Sequence, residues 1–198
     1  MDENENKDTL SEFEIRTERL IIRDMKESDA PGVLEILSDP QTARDAGVPC
    51  IKTMEEARKY ARGGWVRGLT LLSVLKKDDP SRMVGIMEIY PFLDLEPSSL
   101  EETDCLGYYM KKCCRGMGYM TEAVKALSED LFLSGVTGLS LGIFPWNEAS
   151  KKVAVKSGFS FVTLVRGALE LPDKRKEDLE YYVLYSPYEL EDIFDGSV

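Results

Sequence analysis

Apolar positions along this chain recur with two periods, one of two residues and one near 3.6, and their alternation predicts an α/β domain. The run Leu20-Ile21-Ile22 within residues 19–24 reads as a first strand. Ser28 is placed to cap a helix reaching about Leu37, and Asp39-Pro40 would end it, because the residue before a proline avoids the helical region. Thr53-Met54-Glu55-Glu56 has the capping-box form and should open a second helix that stops near Gly63-Gly64. Strands at about 69–75 and 83–90 follow, joined by a turn at Asp78-Asp79-Pro80. Residues 92–104 read as a polar loop and Cys105–Met110 as a fourth strand. A helix from Tyr119 to about Ser134 places Met120, Val124, Leu127 and Leu131 on one face, and Gly135 is suited to terminate it. A strand at 139–144, a helix at 148–157 and strands near 159–165 and 179–185 complete the order, which a three-layer α/β fold with a central mixed sheet satisfies.

Length and composition narrow this picture. The 198 residues, 43% apolar and 31% charged, suit one domain over residues 15–198 behind a disordered or frayed acidic tail at residues 1–14. The longest apolar stretch, around Gly68–Leu75, is far short of the ~20 residues that span a bilayer. The first residues lack the basic and apolar regions of a secretory signal, so a cytoplasmic protein without a membrane partner is expected. A net charge of −11 argues against direct nucleic-acid binding, which depends on Lys and Arg neutralising phosphates. The same charge favours cationic partners such as amines, or simply keeps the protein soluble. Four cysteines (Cys50, Cys105, Cys113, Cys114) without C-x-x-C spacing, and no histidine, predict reduced thiols and no metal site. The absence of histidine also removes the commonest general base.

The strongest local signal is Arg115-Gly116-Met117-Gly118-Tyr119-Met120, set between a strand and a helix. Two glycines let the backbone approach a ligand closely, and the free N–H groups that open the helix suit a phosphate. A tight turn without a ligand reads equally well from these residues alone. No Gly-Lys-Ser/Thr follows and the third glycine of a dinucleotide fingerprint is missing, so neither of those motifs is present.

Together with Leu106-Gly107-Tyr108-Tyr109-Met110 before it and Thr121-Glu122-Ala123 after it, the segment resembles the coenzyme-A-binding motif of GNAT superfamily N-acetyltransferases. It is similar in particular to the RimJ/RimL-type subgroup, whose named members acetylate protein N-termini on the ribosome. Arg115 and Gly118 match the family's Arg/Gln-x-x-Gly-x-Gly/Ala pattern, whereas Met120 replaces a small residue. Asn147-x-x-Ser150 followed by Lys156-Ser157-Gly158-Phe159 matches the subgroup's downstream motif, and the likeness extends over residues 17–186, from Thr17-Glu18-Arg19-Leu20 to Val183-Leu184-Tyr185-Ser186.

The resemblance implies a GNAT-like, mostly antiparallel sheet and acetyl-CoA as co-substrate. It implies that the amides of Gly116, Met117, Gly118, Tyr119, Met120 and Thr121 hold the pyrophosphate. The strand edge at Tyr108, Tyr109 and Met110 would pair with pantetheine and lend an oxyanion donor, and Asn147 would contact the pantetheine arm. Asn147 also reads as a helix N-cap. The resemblance also implies a primary-amine acceptor, with a protein N-terminus, a polyamine, an aminoglycoside and an amino-acid-like amine all open, and a homodimer is left open.

Acid–base roles come less directly. Glu88 interrupts an apolar strand on the face expected to hold Val84, Ile86 and Tyr90, which makes it the candidate general base; a solvent-facing or arginine-paired glutamate is the other reading. Many GNAT enzymes protonate the thiolate with a Tyr seven residues after the motif Asn, and here that position is Ala154, leaving Ser150 as candidate acid. The acidic stretch with Asp94, Glu96, Glu101, Glu102 and Asp104 would shape an acceptor entrance or be a solvated connection. Cys113 and Cys114 read as inert or weakly redox-sensitive thiols. Two rivals are a non-catalytic acyl-CoA-binding module of the same fold and a nucleotide-binding protein using the glycine turn.

Overall fold

The computed structural model describes residues 13–63, 68–90, 103–171 and 173–188. Its strands are β1 (Glu14–Arg16), β2 (Leu20–Asp24), β3 (Thr70–Lys76), β4 (Met83–Tyr90), β5 (Thr103–Met110), β6 (Gly138–Ile143), β7 (Ser160–Glu170) and β8 (Lys176–Tyr185). They form one sheet in the order β1-β2-β3-β4-β5-β6-β8-β7. Every neighbouring pair is antiparallel except β5 with β6. The helices of the described residues are α1 (Ala30–Leu37), α2 (Pro40–Ala46), α3 (Met54–Ala61), α4 (Tyr119–Leu133) and α5 (Glu148–Lys156).

Because successive strand side chains point to opposite faces, each apolar strand feeds two cores. On one face Ile21, Leu71, Leu75, Ile86 and Tyr109 pack against Val33, Ile36 and Leu37 of α1 and Ala57 and Tyr60 of α3. On the other, Leu20, Ile22, Leu72, Val74, Met87 and Leu106 pack against Val124 and Leu127 of α4 and Ala154 of α5. These two burials make the three layers. Phe13 packs on the second core, immediately before β1.

Several local rules hold as expected. Thr53 Oγ1 accepts from the Glu56 N–H (3.2 Å) while the Glu56 carboxylate accepts from the Thr53 N–H (3.0 Å). The Val136 N–H returns to the Leu131 carbonyl around Gly135, closing α4. Met120, Val124 and Leu127 are buried, with Leu131 packed beside them.

Four expectations need correction. Strand β1 has no counterpart in the sequence reading, being three residues of mixed polarity held by pairing with β2. Ser28 lies inside a 3-10 turn, Glu27–Asp29, and α1 begins at Ala30. Asp29 organises that entry instead: its carboxylate takes the Lys26 N–H, the Ser73 hydroxyl and the Arg23 guanidinium. Asp39-Pro40 opens a helix rather than only ending one. Asp39 accepts from the Thr42 N–H (2.9 Å), and Pro40 occupies the first turn, where its missing N–H would have had no intrahelical partner. Finally, β7 and β8 run on to Glu170 and from Lys176, with shifts in register after Phe161 and Val165 absorbing the glycine and charged positions that blurred the alternation. Residues 1–12 of the expected tail and 92–102 of the expected polar loop lie outside the described residues; Thr103 and Asp104 belong to β5.

Candidate active site

The site follows from one interruption in the sheet. β5 and β6 pair only through Thr103↔Gly138, Asp104↔Leu139 and Cys105↔Ser140. Beyond Cys105, β5 continues to Met110 still paired with β4, while β6 follows β8, so the strands diverge and Leu106–Met110 present an edge to which no described strand pairs. A cavity of about 290 Å³ occupies the gap. Tyr108, Tyr109 and Met110 line it from β5, Thr42, Asp45 and Ala46 from α2, and Asn147, Ser150 and Val153 from the α5 side. Arg115, Gly116, Gly118, Tyr119, Met120 and Thr121 line it from the glycine turn and the start of α4.

The glycine turn has the backbone its sequence requires. Gly116 and Gly118 sit at φ 76° and 79°, in the left-handed region. Gly118 is the N-cap of α4, so the first amides of that helix open beside the cavity. The turn is braced from β2. Arg19 donates through Nη1 to the Met117 carbonyl (3.0 Å) and through Nε to Glu122 (2.6 Å), and its guanidinium lies 4.7 Å from the Tyr119 ring centroid. Thr17 Oγ1 also donates to Glu122 (2.6 Å). Burial alone would raise the Glu122 carboxyl, but these donors hold it below its ordinary range. The opening and central segments of the likeness are therefore one structural unit.

Arg115 is exposed, yet its guanidinium is held by the protein. It donates to the Met110 carbonyl (3.3 Å) and to Thr42 Oγ1 (2.7 Å), tying the turn to β5 and α2. Met117 is 54% exposed and is not among the residues lining the cavity; its carbonyl is the group that Arg19 holds. Met120, bulky where the family pattern has a small residue, is buried in the core. Its methyl carbon would stand 3.0 Å from a Cβ placed on Gly85, so a glycine on β4 makes the room.

On the α5 side Asn147 caps its helix by accepting from the Ser150 N–H (3.1 Å), and its amide also donates to the Asp45 carbonyl (3.2 Å). An amide of this kind keeps one further N–H and one carbonyl lone pair for a ligand. The Tyr108 hydroxyl donates to the Ser150 carbonyl (3.1 Å), spanning the gap between β5 and α5, and burial raises that phenol above its ordinary range. Ala154 is wholly buried in the core. A tyrosine there would overpack the interior rather than reach the cavity.

Glu88 is 0% exposed, which rules out a solvent-facing side chain. Its described partners are three tyrosines: Tyr60 donates to Oε1 (2.6 Å), and Tyr90 and Tyr109 both donate to Oε2. Burial pushes the carboxyl above its ordinary value, and the three hydroxyls offset part of that rise. Ile86 shares its face with the tyrosine cluster, but Val84 does not. The register passes from Val74↔Gly85 to Leu75↔Met83, so Val84 is an extra residue and turns into the α4 core. Gly107 lies opposite Glu88, and a Cβ there would stand 3.0 Å from Glu88 Oε2 and 3.1 Å from the Tyr90 ring. Only a residue without a side chain leaves space for the cluster.

Two cavity-lining lysines were given no role in the sequence reading, although one of them, Lys156, stands in the downstream motif. Lys152 and Lys156, four apart on α5, line the same cavity as the glycine turn. Thr42, Asp45 and Ala46 had no signal, because they sit on a helix that was not anticipated.

The described residues contain no cluster of His, Cys, Asp and Glu with the arrangement of a metal site. All four cysteines are free, and Cys113 and Cys114 hold their sulfurs 3.9 Å apart, beyond bonding distance. The thermal unfolding midpoint is accordingly expected to be the same with and without dithiothreitol and with and without EDTA. A fall of several degrees with either reagent would contradict this.

Residues 19–160 match the family model described as an acetyltransferase (GNAT) domain. The chain superposes on a GNAT-family acetyltransferase from Bacillus anthracis with TM-score 0.75 and 19% identity, covering 88% of this chain and 99% of that one. It is also similar to RimL, a ribosomal L7/L12 alpha-N-protein acetyltransferase, with TM-score 0.70, 18% identity and 88% and 94% coverage. An acetyltransferase from Salmonella typhimurium that modifies the N-terminal serine of ribosomal protein L7/L12 gives TM-score 0.68, 19% identity and 85% and 96% coverage. The sequence matches no curated protein.

Proposed function

The chain belongs to the GNAT acetyltransferase family, and we propose that it transfers the acetyl group of acetyl-CoA to a primary amine by direct attack of the amine on the thioester. The observation that carries this reading is the divergence of β5 from β6 beside the glycine turn, which creates a slot with peptide groups along one wall and helix amides at one end. The amides of residues 116–121 hold the pyrophosphate, with Lys152 and Lys156 adding positive charge in the same cavity. Pantetheine lies along Tyr108–Met110 as an added strand, next to Asn147. A backbone N–H of that edge stabilises the oxyanion that forms as the amine attacks. Glu88 is the final acceptor of the amine's proton, and Ser150, on the cavity wall, protonates the departing thiolate.

A protein N-terminus is the first acceptor to test, because two structural neighbours are named for acting on ribosomal protein L7/L12. Small-molecule amines form the second group. No described helix is long and apolar enough to cross a membrane, and free thiols suit a cytoplasmic setting. A second reading, a non-catalytic acyl-CoA-binding module, draws support from Ala154, whose buried position closes the usual route for a helix-borne tyrosine acid.

Free-thiol release from acetyl-CoA, measured with N-terminal peptides, polyamines and aminoglycosides, separates the two. Amine-dependent release is expected, and Ser150→Ala should lower kcat more than it raises the acetyl-CoA KM. Tight acetyl-CoA binding with no release across the whole panel would establish the binding module instead.

A further inference from the structure

Glu88 cannot meet an amine directly. It is fully buried, it is not on the cavity wall, and both its oxygens are occupied by phenols. The three phenols are not equivalent. Tyr109, 5% exposed, is the one of the three among the residues lining the cavity, and its hydroxyl donates to the same Oε2 atom that overhangs Gly107, on the stretch of β5 beyond its pairing with β6. Tyr90 ends β4, is only partly buried, and donates to that same Oε2. Tyr60, from α3, is buried and holds the other oxygen. The groups facing the carboxylate are thus a phenol from α3, one from β4 and one from β5, with Cys105 the further titratable group acting on Tyr90. Burial and the neighbouring carboxylate hold Tyr90 and Tyr109 above the ordinary phenol range, so both stay protonated and able to pass a proton on.

Resting on the acetyl-transfer reading above, we propose that Tyr109 relays the proton of the acceptor ammonium to Glu88, that Tyr90 returns it to solvent, and that Tyr60 only positions the carboxylate. In the relay an N–H bond of the ammonium breaks as its proton moves to Tyr109 Oη, while the original Tyr109 proton moves to Glu88 Oε2. The amine and the carboxyl end neutral, the phenol is unchanged, and no other reactant is needed. The same exchange through Tyr90 then restores the carboxylate.

The test uses the full chain with the best acceptor from the thiol-release panel. Tyr109→Phe should lower kcat by ~100-fold or more, the usual contribution of a positioned proton-transfer group. Its acetyl-CoA Kd by calorimetry should stay within about 2-fold, and the acidic limb of the kcat–pH profile should flatten. Tyr60→Phe should keep the wild-type pH profile and a kcat within ~10-fold, since it leaves the relay intact. On the wild type, a proton inventory in mixed H2O and D2O should curve, as two protons move together. A linear inventory, or a folded Tyr109→Phe with wild-type kcat and pH profile, overturns the relay while leaving acetyl transfer standing. A wild type that binds acetyl-CoA but releases no thiol overturns both.

Discussion

Gly118→Val is expected to weaken acetyl-CoA binding by about 100-fold or more, equivalent to about 2.8 kcal/mol at 1.4 kcal/mol per tenfold. The reason is the backbone more than the volume. Gly118 holds φ at 79° at the N-cap of α4, a region that costs an L-residue about 1–2 kcal/mol and a β-branched one more. A valine relieves that strain by rotating the peptide toward negative φ, which re-aims the helix amides that face the cavity. Space alone is not prohibitive, since the nearest atom to an added Cβ is Arg19 Nη2 at 3.4 Å. Gly118→Ala should therefore lie between wild type and valine, with a smaller loss. Calorimetric titration with acetyl-CoA, checked against circular dichroism for folding, reads the series. Wild-type affinity in a folded valine variant would mean that the pyrophosphate does not rest on this turn.

The glycine turn was legible in the sequence because its chemistry is local: two glycines at fixed spacing before an amphipathic helix carry both the bend and the donors. The slot was not legible, since it arises where β5 and β6 stop pairing, and nothing in Leu106–Met110 or Leu141–Ile143 alone records a missing partner. The same limit explains Arg19 and Glu122, which are 103 positions apart and meet only because β2 passes the start of α4. Asp39-Pro40 misled for a different reason. The dipeptide stops one helix and starts another, and a short polar α2 gives too little periodicity to show which. Glu88 stood out as a charge in an apolar strand, but its partners come from β5, α3 and its own strand, and two of those three segments could not be placed around it without the fold. Met120 looks like a mismatch in the sequence and becomes compatible only beside Gly85.

Glu88→Ala is expected to destabilise the fold by about 3 kcal/mol or more, since it orphans three buried or half-buried hydroxyls and each such group left without a partner costs about 1–3 kcal/mol. Glu88→Gln keeps the shape and isolates the charge. In the folded protein the carboxyl titrates above its ordinary value of 4.5, so just above that pH the native state keeps a proton that the unfolded chain has released. The stability this group contributes is fully present below about 4.5 and is lost as pH rises through the folded pKa. Asp29 and Glu122 have the opposite sign: their folded values lie below 3.8 and 4.5, so their contributions are in place above those values and fall away only in stronger acid. Above about pH 5 the two effects therefore separate. Urea unfolding at steps from pH 5 to 8 should show wild type losing stability relative to Glu88→Gln as pH rises. If the two curves run parallel across that window, the carboxyl is not held above its ordinary value, and it would lack the basicity that an amine's proton requires of its final acceptor.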